Sequence, residues 1–169
     1  MRIGTLGLML VLVAASGCSR YWVGRPMAPP IDALGRPPSG LGQLCVVRPF
    51  WGTTAVTLVV RDNGNLVGAT HGPSYFCYFA EPGGHRIVSE VSDAGMVEKP
   101  RETRIEITRG GRYFLQQTVE AGGTVLDWLS EAEAAKIVDR CGYQVLISAP
   151  ASDSMPGMTP VAGAQREVH

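Results

Sequence analysis

Between residues 44 and 129 the chain is cut at regular intervals by residues that reverse a backbone, and the runs between the cuts are short. Asn63-Gly64, Pro82-Gly83-Gly84, Gly110-Gly111 and Gly122-Gly123 separate runs rich in β-branched and aromatic residues. Turn chemistry recurring about every 8 to 12 residues between such runs is the pattern of an all-β domain. The runs are residues 44–50, 54–60, 66–69, 74–80, 85–91, 103–108, 112–119 and 124–128. Asn63-Gly64 supplies the two positive φ angles of a tight hairpin turn. Strict alternation in the sixth run puts Ile105 and Ile107 on one face and sends Arg104 and Glu106 to solvent. Seven or eight strands are enough for two packed antiparallel sheets.

One helix is legible after the strands. Ser130-Glu131-Ala132-Glu133 fits a capping box, in which the Ser130 hydroxyl satisfies an orphan amide and Glu133 reaches back to the cap. Its apolar stripe is Ala134, Ile137, Val138 and Cys141, with Gly142 where helices often end in a left-handed residue. Residues 143–147 read as a final strand, and the helix is expected to close an edge or end of the sandwich.

The amino-terminal residues carry an address. Met1-Arg2 gives a minimal positive start and residues 3–13 an uncharged apolar core, the pattern of a signal peptide. The run ends too soon to span a bilayer, which takes roughly 20 apolar residues. Ala15-Ser16-Gly17-Cys18 resembles the lipobox of bacterial lipoproteins, and that likeness implies a diacylglycerol on the Cys18 thiol and cleavage before it. That family most often has Leu where Ala15 stands, which leaves ordinary signal-peptidase cleavage near Ala14-Ala15-Ser16 as the alternative. Ser19, in place of Asp, is similar to the outer-membrane sorting pattern of two-membrane bacteria, so the expected location is the outer membrane, facing the periplasm.

These readings divide the chain into a signal peptide at 1–17, a lipidated Cys18 with a flexible Pro- and Gly-rich linker at 18–42, a β-sandwich domain at 43–148, and a disordered tail at 149–169. Tyr21 and Trp22 in the linker suit lipid headgroups or a return to the folded domain.

Val47-Arg48-Pro49, Asn65-Leu66-Val67-Gly68, Ser74-Tyr75-Phe76, Glu81-Pro82-Gly83-Gly84-His85 and Gly110-Gly111-Arg112-Tyr113-Phe114, in that order, resemble the bacterial domain of unknown function 2846 family. The likeness covers about residues 44–147 and implies a small envelope lipoprotein with no established active site. The turn logic is also similar to transthyretin-like and carboxypeptidase-regulatory-like sandwiches. The expected fold is therefore mainly β, an Ig-like or transthyretin-like antiparallel sandwich of seven to eight strands with one short C-terminal helix. Read from the residues alone, Gly68, Gly83-Gly84 and Gly110-Gly111 are turn positions, and Tyr75, Phe76, Tyr78, Phe79, Tyr113 and Phe114 are core or edge packing.

With Cys18 taken by lipid, Cys45, Cys77 and Cys141 remain, and three thiols allow three pairs. Cys77 shares a strand face with Tyr75 and Phe79, and Cys141 lies on the helix stripe, so Cys77–Cys141 is the expected bridge, with Cys45–Cys141 as the alternative.

Several function classes lack their residues. A Cys77 thiolate with His85 as base is the nearest approach to a nucleophilic pair, but no Gly-x-Ser-x-Gly elbow or orienting partner accompanies it. No Cys-x-x-Cys or His-Glu-x-x-His metal spacing and no Gly-rich strand-to-helix turn for a nucleotide appear, so no metal or cofactor is expected. Fifteen basic and fifteen acidic residues balance, and Arg101, Arg104, Arg109 and Arg112 mix with Glu98, Glu102 and Glu106, which speaks against nucleic acid. Two readings remain. In the first, a non-catalytic module held on the membrane by its N-terminal lipid meets an envelope protein or surface polymer, with tips at Asn63-Gly64 and Pro82-Gly83-Gly84 as contact candidates. In the second, the sandwich opens to carry a small apolar molecule.

Overall fold

The computed structural model describes residues 21–26, 35–49, 56–92, 99–120, 123–149 and 153. The signal peptide, Cys18 and most of the 149–169 tail lie outside the described residues. Eleven strands and one helix follow in order among them: β1 (Trp22–Gly24), β2 (Gly42–Arg48), β3 (Thr57–Asp62), β4 (Asn65–His71), β5 (Ser74–Ala80), β6 (Gly83–Val91), β7 (Arg101–Ile107), β8 (Arg112–Glu120), β9 (Gly123–Leu129), α1 (Glu131–Val138), β10 (Gly142–Tyr143) and β11 (Val145–Ser148).

The strands form a five-stranded sheet in the order β10-β5-β2-β8-β9, a four-stranded sheet in the order β4-β3-β6-β7, and a separate β1-β11 ribbon. The mainly β sandwich expected from the turn spacing is thus present. The sheets are not wholly antiparallel, because β2 runs parallel to β8 and β10 parallel to β5. Every residue of β2 is buried. A central strand covered on both faces reads as a continuous apolar run instead of an alternating one, and Leu44-Cys45-Val46-Val47 is such a run.

Alternation divides the interior into three layers. Leu44, Val46, Val60, Phe76, Tyr78, Ile87, Ile107 and Leu115 meet between the two sheets. Cys45, Val47, Tyr75, Cys77 and Phe114 point the other way, where Ala134 and Val138 of α1 cover them. Val59, Leu66 and Ala69 face outward from the four-stranded sheet and lie beneath Tyr21, Val23 and Leu146 of the ribbon segments. The helix therefore roofs the outer face of the five-stranded sheet and does not plug an edge. Its start is the capping box read from sequence, with the Glu133 amide donating to the Ser130 hydroxyl and the Ser130 amide to the Glu133 carboxylate. Its end differs: Asp139 caps α1, and Gly142 is drawn into β10 beside Ser74.

Three further expectations change. The 18–42 linker contains β1, whose Trp22, Val23 and Gly24 pair with Ser148, Leu146 and Val145. Val23 gains apolar cover there that a solvated linker lacks. In the 149–169 tail, Asp153 is fixed by the Arg61 guanidinium at 2.9 Å and by the Tyr21 hydroxyl. Gly68 lies inside β4 and not at a reversal, and a Cβ there would stand 2.7 Å from Cδ2 and Cζ of the buried Phe76 ring. The Gly68→Ala variant is expected to lose about 1 to 3 kcal/mol of stability by overpacking, read as a lower urea midpoint with unchanged slope.

The bridge joins Cys45 to Cys77, with Cα atoms 4.0 Å apart, which corrects both Cys77–Cys141 and the alternative Cys45–Cys141. The two cysteines are register partners on adjacent antiparallel strands, so their Cβ atoms stand side by side. Strand alternation assigned Cys77 to the right face, but the β2–β5 pairing that puts Cys45 opposite it comes from topology. Cys141 is the free thiol among the described cysteines; it is half-buried, donates weakly to the Arg48 carbonyl at 3.4 Å, and has its pKa raised by burial.

Burial also sets an alkaline response. Burial raises the phenol pKa values of Tyr21 and Tyr143 from 10.0 to about 12 and pushes those of Tyr75 and Tyr78 up as well. Below pH 10 folded and unfolded chains both keep these protons, and above it the unfolded chain loses them first. Stability is therefore expected to fall from about pH 10 to about 12, with tyrosinate absorbance lagging behind that of the unfolded chain. Normal titration of all the tyrosines in the folded protein would contradict this packing.

Candidate functional site

The two tips marked as contact candidates come together, although only Asn63-Gly64 is a hairpin turn: Pro82-Gly83-Gly84 crosses from β5 in one sheet to β6 in the other. Asn63 and Gly64 adopt φ values of 48° and 88°, the left-handed pair expected of a two-residue turn between β3 and β4. The Asn63 amide donates to the Arg86 carbonyl at 3.0 Å, its side chain donates to the Gly84 carbonyl at 3.3 Å, and the Arg86 amide donates to Asn63 Oδ1 at 3.0 Å. One asparagine thus ties the β3–β4 turn to the first residues of β6. Pro82-Gly83-Gly84 leads into that same stretch, with Gly83 at φ 137°.

Beneath the tips lies a polar cluster. The Asp62 carboxylate is wholly buried, His85 is nearly so, and Tyr78 is 1% exposed. His85 Nδ1 lies 2.7 and 2.8 Å from the Asp62 oxygens, His85 Nε2 lies 2.8 Å from the Glu81 carbonyl, and the Tyr78 hydroxyl donates to Asp62 at 3.0 Å. Each ring nitrogen faces an oxygen acceptor. His85 thus bonds the backbone of its own turn through Nε2 and a buried carboxylate through Nδ1. The cluster joins the ends of β3, β5 and β6 and fixes the base from which both tips project.

Above it, Asn63, Gly84, His85, Arg86, Arg104, Ile105 and Glu106 line an open groove of about 640 Å³. Register explains the lining: Gly84 stands opposite Glu106, and Arg86 opposite Arg104. Glycine at 84 keeps the floor low. Arg86 pairs with Glu102 at 3.0 Å, and Arg104 lies 3.7 Å from the same carboxylate. These are surface pairs whose contribution to stability is about 0 to 1 kcal/mol, so the charges are available to exchange partners. The solvent exposure read for Arg104 and Glu106 is present. Asp62, Arg86 and Ile105 were missed as site residues. The signal for Asp62 and Arg86 was their place beside the tips, but joining the tips needed the β3–β6 pairing.

The residues of the nucleophilic pair are not assembled for that chemistry. Cys77 is bonded to Cys45 under α1, and His85 is engaged on both nitrogens. Among the described residues no three His, Cys, Asp or Glu side chains gather to hold a metal ion. No protein-family model matches the chain, and no curated protein matches it either.

Proposed function

We propose that this chain is a lipid-anchored, non-catalytic cell-envelope protein, held through acyl chains on Cys18 and serving as a protein-interaction or structural module. In this reading it resides at the outer membrane, faces the periplasm, and takes an envelope protein or surface polymer as partner. The likeness to the domain of unknown function 2846 family belongs to the same proposal, and the β-sandwich supports it. One observation carries the contact: two exposed tips, tied together by Asn63 and fixed below by Asp62 and His85, border an open groove of mixed charge. A rigid edge groove costs little ordering on binding. Its charges favour a partner with complementary polar groups, and β7, which ends its sheet among the described strands, offers an edge for strand addition.

The carrier reading needs an apolar cavity of about 300 Å³ or more. Among the described residues, an apolar cavity bordered by Val67, Phe76, Tyr143 and Leu146 holds about 20 Å³, room for roughly one water. The groove at the tips is open and lined mostly by polar and charged residues. The interaction reading is the better supported.

Affinity capture after in-cell cross-linking tests it, with Cys18→Ala as the unanchored control. One envelope protein is expected from the anchored chain, and its recovery from Arg86→Glu/Arg104→Glu should fall by about tenfold or more. Undiminished recovery would remove the groove from the contact. A co-purified apolar molecule with no protein would favour the carrier.

A further inference from the structure

The β1-β11 ribbon shields the four-stranded sheet with one face and, among the described residues, leaves Trp22 and Ile147 uncovered. Val23 and Leu146 point inward to Val59, Leu66 and Ala69. Trp22 and Ile147 are 67% and 66% exposed, the exposed large hydrophobic side chains among the described residues. They are neighbours: a Cβ added at Gly24 would strike the Ile147 side chain, and Trp22 pairs with Ser148, the residue after Ile147, at the irregular step of the ribbon. Glycine at 24 thus lets Ile147 lie flat across the ribbon. Arg25, next in the chain, is exposed but turns its guanidinium to the Pro73 carbonyl at 3.5 Å, beside Gly142.

The neighbouring sequence says what covers the patch. Only Ser19 and Arg20 separate Cys18 from Tyr21, a reach of at most about 11 Å. Tyr21 is itself held on the domain, its hydroxyl accepting from Arg61 at 3.2 Å and bonded to Asp153. A lipid on Cys18 therefore leaves almost no free tether, and this ribbon face must lie near the headgroups. Tryptophan beside a large aliphatic side chain is the composition that favours that zone.

We propose that the outer face of the β1-β11 ribbon, through Trp22 and Ile147, docks on the lipid bilayer and fixes the orientation of the domain. This rests on the lipid-anchor reading above. Arg86, Arg104 and Glu106 rise from the same outer side of the sheet as the ribbon, so docking holds the groove near the membrane surface, within reach of a second membrane-associated chain.

The test uses the full mature chain purified from membranes, with its N-terminal peptide examined by mass spectrometry. It is then reconstituted in vesicles of brominated phosphatidylethanolamine and phosphatidylglycerol. The Trp22 share of the fluorescence, assigned by difference from Trp22→Phe, is expected to be quenched roughly twofold, and Ile147→Asp should reduce that quenching. Neither exposed side chain supports the core, so both variants should fold. A lipidated Cys18 with unquenched Trp22 would overturn the docking while leaving the anchor intact. An unmodified Cys18 would overturn the anchor, and the docking with it.

Discussion

Replacing Cys45 and Cys77 together by alanine is expected to lower the stability of the domain by about 3 to 4 kcal/mol. The bridge spans a sequence separation of 32 and is buried under α1. Its loss frees the unfolded chain to expand, the main source of stabilisation in the chain-entropy model. Against a typical total of about 5 to 15 kcal/mol, that is a large share. Urea unfolding of the oxidised protein and the double variant measures it, and a loss under about 1 kcal/mol would contradict a bridge at this position. Cys141→Ala should change stability far less, since it removes only a half-buried thiol and a weak bond to the Arg48 carbonyl. Thiol titration of the denatured, unreduced chain should find Cys141 free, and Cys18 as well wherever it carries no lipid.

Asp62→Ala is expected to be comparably damaging, at about 2 to 5 kcal/mol, because it leaves two buried hydrogen-bonding groups without their acceptor. The carboxylate is 0% exposed and receives both His85 and Tyr78. Without it, the Tyr78 hydroxyl and one ring nitrogen lose their partner between the sheets. The double variant Asp62→Ala/His85→Ala should lose less than the sum of the single variants, the sign of direct coupling. Strict additivity would show that Asp62 and His85 act apart. The single variant should also loosen the groove, since Asp62 immediately precedes Asn63.

What the sequence revealed is what local chemistry controls. Asn63-Gly64 requires a left-handed pair, Ser130 and Glu133 satisfy each other's backbone amides, and alternation sends Arg104 outward and Ile107 inward. Each depends on neighbours a few residues apart. What it concealed is pairing between distant strands. The parallel β2–β8 contact, the Cys45–Cys77 register and the convergence of Asn63 on Gly84 depend on which strand lies beside which. Composition also misled: a Pro- and Gly-rich stretch hid β1, because Trp22, Val23 and Gly24 are too few to show a period. Among the described strands, β11 gives that strand its partner. Gly68 was read as a turn because nothing nearby in sequence announces the Phe76 ring that fills its Cβ space.

Site-specific photo-cross-linking in living cells tests the interaction groove most directly, with a benzophenone amino acid at Arg104 in the groove or at Lys136, exposed on α1. The expected result is a discrete adduct with one envelope component from position 104, absent from position 136 and weakened by Asn63→Ala. Adducts of equal yield from both positions, or none from position 104 in the anchored protein, would contradict a contact surface at the joined tips.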